Sequence, residues 1–269
     1  MRRLTLLSVA AALGAVSIAP LTAQVRPSPF ARQTWTVNGV ERSALVAVPV
    51  QAAPTDGVPL VLVFHGHGGN SDHSARTFAM HPFWAQALVI YAQGLPTPGL
   101  LTDPDGVKPG WQSRPGDHGD RDLKYVDAMV SWAKTKFTID PARIYAAGHS
   151  NGGTMTYVLW SVRGNVFAAF AASGSVFRKE LIASAKPKPA LIIAGEKDQL
   201  VPFSLQEVSL AAVLRLNGAS RESAPWSGGA VLHKSASGAD VAAYIYPGDH
   251  TMPATAGELM VKFFKDHAK

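Results

Sequence analysis

Three residues of this chain have the types and the local settings that nucleophilic acyl transfer requires. Ser150 lies in Gly148-His149-Ser150-Asn151-Gly152-Gly153, a G-x-S-x-G sequence that follows an apolar run at 143–147 and precedes a helical stretch. A strand that turns at once into a helix must do so through a sharp, strained corner. The corner tolerates glycine where side chains would collide, and it lifts the serine hydroxyl above the sheet. The same corner puts the Asn151 backbone N–H at a helix N-terminus, where it can face a developing oxyanion.

A serine hydroxyl needs a base, and the base needs a carboxylate to orient it. On an elbow of this kind the partners follow in the order serine, acid, histidine, each beyond a strand end. Asp198 sits just past the apolar run 190–194, in Ala194-Gly195-Glu196-Lys197-Asp198. Asp198 is preferred to Glu196 because the chain must turn at Gly195 before a side chain can point inward. His250 sits in Pro247-Gly248-Asp249-His250, just past the run 241–246. The expected triad is therefore Ser150 as nucleophile, Asp198 as acid and His250 as base.

A second glycine-rich turn, His65-Gly66-His67-Gly68-Gly69, follows the run 59–65. Its backbone can supply the other oxyanion donor, which is assigned to His67, with Asn151 as the first. The His65 side chain is expected to pack and hydrogen-bond beneath the turn. A rival reading takes His65, His67, Asp72 and His73, with Asp117, His118 and Asp120, as metal ligands. Three extra residues before the aspartate depart from an H-x-H-x-D-H spacing, so no metal is expected. Trp111, in Gly110-Trp111-Gln112, is a candidate platform for an acyl or aromatic group, the alternative being plain anchoring of its loop.

The elements that must position these groups alternate along the chain. Residues 34–50 alternate in polarity around Asn38-Gly39, a dipeptide suited to a type I′ hairpin. Apolar runs at 59–65, 88–92, 143–147, 167–172, 190–194 and 241–246 have the character of strands buried on both faces. Helices are predicted over 120–137, 154–162 and 205–216. In the first of these, Leu123, Val126, Met129, Val130 and Ala133 share one face. The alternation predicts an α/β fold, a mostly parallel sheet with helices on both faces. The stretch 94–116 carries five prolines and is predicted to be a long irregular loop. The stretch 217–238 is read as a second excursion, and 173–188 is too short for a lid domain.

The chain has 269 residues, 47% of them apolar and 16% charged, a composition that fits one folded domain. Arg2-Arg3, an apolar stretch over 4–19 and a small-residue region to Gln24 read as a signal peptide spanning 1–24, leaving a catalytic domain over 25–269. Export to the periplasm or the exterior is expected, with no membrane association after cleavage. The formal charge of +6 falls to +4 without Arg2 and Arg3, and the basic residues are scattered, so no nucleic-acid partner is expected. The absence of cysteine excludes cysteine nucleophiles, thiolate metal sites and disulfides.

These pieces resemble the polyhydroxybutyrate depolymerase and feruloyl esterase family of the α/β-hydrolases. The resemblance is carried by PLVLVFHGHGG (59–69), DPARIYAAGHSNGG (140–153), AAFAASG (168–174), ALIIAGEKDQLVPF (190–203) and YPGDHTMP (246–253), across most of residues 34–267. It implies an esterase without a cofactor, with the triad and oxyanion donors named above. Its substrates would be small or oligomeric esters: a hydroxycinnamoyl ester, an acetylated sugar or a hydroxyalkanoate oligomer. Members often have H-G-C-G where this chain reads His65-Gly66-His67-Gly68. A serine peptidase on the same scaffold, or a binding protein that has kept it, are the readings from other classes.

Overall fold

The computed structural model describes residues 30–99 and 101–269, so the segment read as a signal peptide lies outside the described residues. Strands β1 (Phe30–Val37) and β2 (Val40–Ala47) form an antiparallel hairpin. Asn38 and Gly39 both take positive φ at its tip, the geometry a type I′ turn demands. The sheet continues with β3 (Val58–Phe64), β4 (Leu88–Ala92), β7 (Ile139–His149), β8 (Ala169–Ser173), β9 (Ala190–Gly195) and β12 (Val241–Tyr246), and β5 (Leu95–Pro96) and β6 (Pro109–Gly110) pair apart from it. With β10 (Ala224–Ser227) and β11 (Ala230–His233) the main sheet has ten strands, ordered β1-β2-β4-β3-β7-β8-β9-β12-β11-β10. Its six central strands are parallel and both margins antiparallel.

The apolar runs are continuous because both faces of the centre are covered. Leu60, Leu62 and Phe64 of β3 pack into one core, with α2 (Arg121–Lys136), α3 (Asn151–Arg163), α4 (Lys179–Ile182) and α5 (Phe203–Asn217) above them. Val61 and Val63 pack into the other, against α1 (Ser71–Phe78) and α6 (Ala256–Asp266). Alternate residues thus serve opposite faces, which leaves no polar position in the strand.

The structure departs from the sequence reading in two places. The 217–238 stretch is not wholly a loop, since β10 and β11 form a hairpin that extends the sheet beyond β12. Each strand is only four residues long and β10 contains Pro225, so neither carries a readable alternation. Helices α1 and α6 were also outside the expectation. The first is mostly polar (SDHSARTF), whereas α6 buries Leu259, Met260, Phe263 and Phe264 on one face, a periodic signal that was present in the sequence. Between β8 and β9 lies only the one-turn α4. Among the described residues no helix is long and apolar enough to cross a membrane.

Candidate active site

The elbow at Ser150 is shaped by close backbone approach. A Cβ on Gly148 would fall on the Gly152 carbonyl, and one on Gly152 would fall on the Phe64 carbonyl of β3. With those positions closed to side chains, Ser150 is held at φ 56 and ψ −122, an unfavourable conformation for a residue with a Cβ. Its N–H donates to the Ser173 carbonyl at 2.8 Å, tying the corner to the end of β8. The helix that begins at Asn151 packs directly on the strand that delivers it.

The structure brings the three sequence-predicted residues together. His250 Nε2 lies 2.8 Å from Ser150 Oγ, and His250 Nδ1 lies 2.8 Å from Asp198 Oδ2. A carboxylate accepting from Nδ1–H leaves the Nε2 lone pair facing the serine hydroxyl, the tautomer a general base needs. The carboxylate is fully buried and held from several sides. Its Oδ1 accepts from the N–H groups of Leu200 (3.0 Å) and Val201 (2.8 Å), and its Oδ2 accepts from Gln206 Nε2 at 2.9 Å. Glu196, the competing acid, is exposed. His250 itself keeps about a fifth of its side chain open to solvent.

Sequence reasoning missed several supporting groups. Gln206, on α5, reaches back to Asp198 and to the Val201 carbonyl, a contact with no local signature. The Tyr246 hydroxyl meets the carbonyls of Asp249, at 2.8 Å, and Thr251, bracketing His250 in its loop. His149 packs its ring 4.8 Å from that of His250. Burial, with the nearby His250 adding to it, pushes the His149 imidazole down to about 4. It therefore stands beside His250 as a neutral ring near neutral pH and places no second positive charge there.

The turn after β3 lies against the elbow, where a Cβ on Gly66 would come 3.4 Å from Ser150 Cβ. Within the protein neither the His67 nor the Asn151 backbone N–H has an acceptor among the described residues. His65 is buried beneath the turn, as expected. Its Nε2 accepts from the Gly94 N–H at 2.9 Å, so its Nδ1 carries the proton and donates to the Gly66 carbonyl at 2.7 Å. Burial lowers this imidazole to about 4.

The residues of the rival metal reading go separate ways. Both His65 nitrogens are engaged with backbone. His67 pairs with Asp103, Asp72 with Arg32, and His73 lies against Thr77 on α1. Asp117 and Asp120 accept from the backbone N–H groups of their own loop, at Ser113, Arg114 and Gly116. Among the described residues no three histidine or carboxylate side chains converge as a metal would require.

Trp111 requires a correction. Its side chain is 0% exposed, its Nε1 donates to the His65 carbonyl at 2.8 Å, and its ring meets Phe64 edge-on. A ring with no open face cannot serve as a substrate platform. It is the anchor of the 94–116 loop. Its backbone completes the anchoring through the Asn151 side chain, with Trp111 N donating to Oδ1 at 2.7 Å and Asn151 Nδ2 donating to the Trp111 carbonyl at 3.1 Å.

Comparison with known proteins agrees with this architecture. Residues 111–186 match the model of the prolyl oligopeptidase family. A protein named probable feruloyl esterase C from Aspergillus flavus is 27% identical over 176 residues, 64% of this chain and 62% of that protein. Feruloyl esterase C of Emericella nidulans is 26% identical over the same shares of the two chains. This chain thus spans a little under two thirds of the length of these relatives. The solved acetyl xylan esterase from Aspergillus awamori superposes with a TM-score of 0.63 at 14% identity, covering 87% of this chain and 99% of the other. Sheet order, elbow and these likenesses together make the chain an α/β-hydrolase by fold, similar in sequence to proteins named as esterases.

Proposed function

We propose that the protein is a serine carboxylic-ester hydrolase that works through an acyl-enzyme on Ser150. The observation that carries this reading is the continuous hydrogen-bonded line from Ser150 Oγ through both nitrogens of His250 to the buried Asp198. His250 takes the serine proton as Oγ attacks the ester carbonyl, then returns it to the leaving alcohol. Water, activated by the same imidazole, releases the acid. Asp198 holds the ring and balances its charge when protonated. The N–H groups of His67 and Asn151 stabilise the oxyanion, a contribution of about a hundredfold or more for each donor.

The names of the sequence relatives favour a feruloyl or other hydroxycinnamoyl ester as substrate, and a hydroxyalkanoate oligomer stays a candidate on the motif resemblance alone. The acetyl xylan esterase likeness favours an acetylated sugar as the runner-up. The prolyl oligopeptidase match over 111–186 supports a peptidase on the same scaffold as an alternative. The reading includes an exported domain over 25–269 behind the leader at 1–24.

Purified protein and its Ser150→Ala variant, assayed on methyl ferulate and on a soluble 3-hydroxybutyrate oligomer, test the reading. Turnover should fall on the order of a million-fold in the variant. Equal turnover in the two proteins would falsify it. The preferred ester identifies the substrate branch.

A further inference from the structure

The side chain of His67 is not used by a mechanism that needs only its backbone N–H, yet it is packed inward beside the elbow. It is about nine-tenths buried, and its Nε2 lies 3.0 Å from Asp103 Oδ2. Its ring is inserted into the 94–116 loop, such that a Cβ on Gly99 would come 2.8 Å from Cε1 and one on Gly110 2.7 Å from Nδ1. Among the described residues Nδ1 is buried without a partner, a cost that an imidazole merely filling space would avoid by turning outward.

Asp103 gathers its own loop around this contact. Its carboxylate accepts from Lys108 N at 2.8 Å and Val107 N at 3.3 Å. The Lys108 N–H, with His67 assisting, holds the acid below the usual carboxylate range. One residue further, the Pro109 carbonyl accepts from Gly68 N at 2.7 Å. Two residues beyond that, Trp111 is locked to the Asn151 side chain. The side chains of the two candidate oxyanion residues therefore grip one loop and meet it together at Gly110, where an added Cβ would lie 2.7 Å from His67 Nδ1 and 3.0 Å from Asn151 Oδ1.

We propose that the His67 imidazole, anchored on Asp103, is a positioning group that aims the His67 backbone N–H at the oxyanion, and that the 94–111 loop is the brace of the oxyanion hole. This rests on the esterase reading. An oxyanion contact forms only as the carbonyl becomes tetrahedral, so loosening the donor must lower kcat and leave KM almost unchanged. A loop that instead contacted substrate would shift KM.

The test is a double-mutant cycle of His67→Ala and Asp103→Ala, with His67→Gln and Asp103→Asn as conservative variants. Each is assayed for kcat and KM on the better of the two esters, for inhibition by phenylboronic acid, which forms a tetrahedral adduct on serine, and for melting temperature. Each alanine variant should lose about tenfold or more in kcat and weaken the boronate by a matching factor. KM should stay within roughly twofold. The double variant should be no worse than either single one. His67→Gln and Asp103→Asn keep a hydrogen bond across the pair and should recover most of the loss. Unchanged kcat in folded alanine variants, a change in KM alone, or losses that multiply in the double variant would overturn the brace. If the alanine variants do not fold, the test passes to His67→Gln, which reaches Asp103, against His67→Asn, which falls short. Equal kcat in that pair overturns the proposal. Failure of the esterase reading is distinct: wild-type protein would then have no turnover, or turnover that survives Ser150→Ala, and the brace would fall with it.

Discussion

The Ser150 elbow and the 94–116 loop lie against each other, yet they are held by different means. The elbow is shaped by the backbone of its own few residues and of the strand beneath, through the contacts that forbid a Cβ at Gly148 and Gly152. The described part of the loop closes short turns on its own backbone and on Asp103, and distant side chains fix where those turns sit. His67 after β3 holds Asp103, Asn151 of α3 holds Trp111, and the Gln112 N–H donates to Asp122 at the start of α2. Asp122 is in turn paired with Arg42 of β2 at 2.8 Å, both fully buried, with Arg42 lying over the Tyr125 ring. One region is rigid by local sterics, the other by long-range polar contacts, and the two should fail differently.

The sharpest way to break the elbow is Gly148→Ala. Its new methyl group meets backbone that cannot move without unseating Ser150, so activity should be lost and stability should fall by about 4 kcal/mol or more, read by chemical denaturation. The loop has a comparable weak point at its anchor. Trp111→Ala should cost about 3–5 kcal/mol, measured in the same way, because it empties a fully buried site and strands the His65 carbonyl. A melting curve within a degree of wild type would place the anchoring elsewhere. Arg42→Met takes from the buried Asp122 carboxylate its 2.8 Å partner and leaves only Arg121 Nε, at 4.0 Å, as a nearby cation, so it should destabilise by about 3 kcal/mol. Its effect on turnover should exceed that of an equally destabilising core change far from the loop, since Asp122 also holds Gln112.

A pH dependence of stability is expected as well, with His149 at the elbow and His65 beneath the turn after β3 both contributing. His65 and His149 are both held down to about 4 by burial, against an ordinary value of 6.5. Between those values the unfolded chain binds protons that the folded chain does not. Stability present above pH 6.5 should therefore decline as pH falls toward 4, then level off with respect to these two groups. Melting temperature followed across that window checks the sign. Replacing His149 by Asn should flatten the slope, and an unchanged slope would remove His149 from the account.

The contrast also explains which parts of the protein could be read in advance. The parallel centre of the sheet, the first hairpin and the helix over Arg121–Lys136 follow from periodicity and from Asn38-Gly39. The β10–β11 hairpin did not, because four-residue edge strands carry too few alternations to register. Helix α6 carries a periodic signal of the same kind in the apolar face formed by Leu259, Met260, Phe263 and Phe264. Trp111 reads in sequence either as a platform or as the anchor of its loop, because an aromatic residue between loop prolines looks the same whether it faces solvent or core.

By itself the sequence determined the chemistry on offer: a serine on a glycine elbow, with an acid and a histidine in order beyond later strands. Those signals are local, set by sterics and by two-residue and 3.6-residue periods that survive in a linear string. The tertiary structure alone decided what surrounds them. Asn151 on Trp111 and Asp103 on His67 join residues 40 and 36 positions apart, while Gln206 at Asp198 and Tyr246 around His250 are near in sequence and depend on how a helix and a loop turn back. Contacts of either kind leave no periodic trace, so only the packed sheet could reveal which polar groups hold Ser150, His250, Asp198 and the turn after β3 in place.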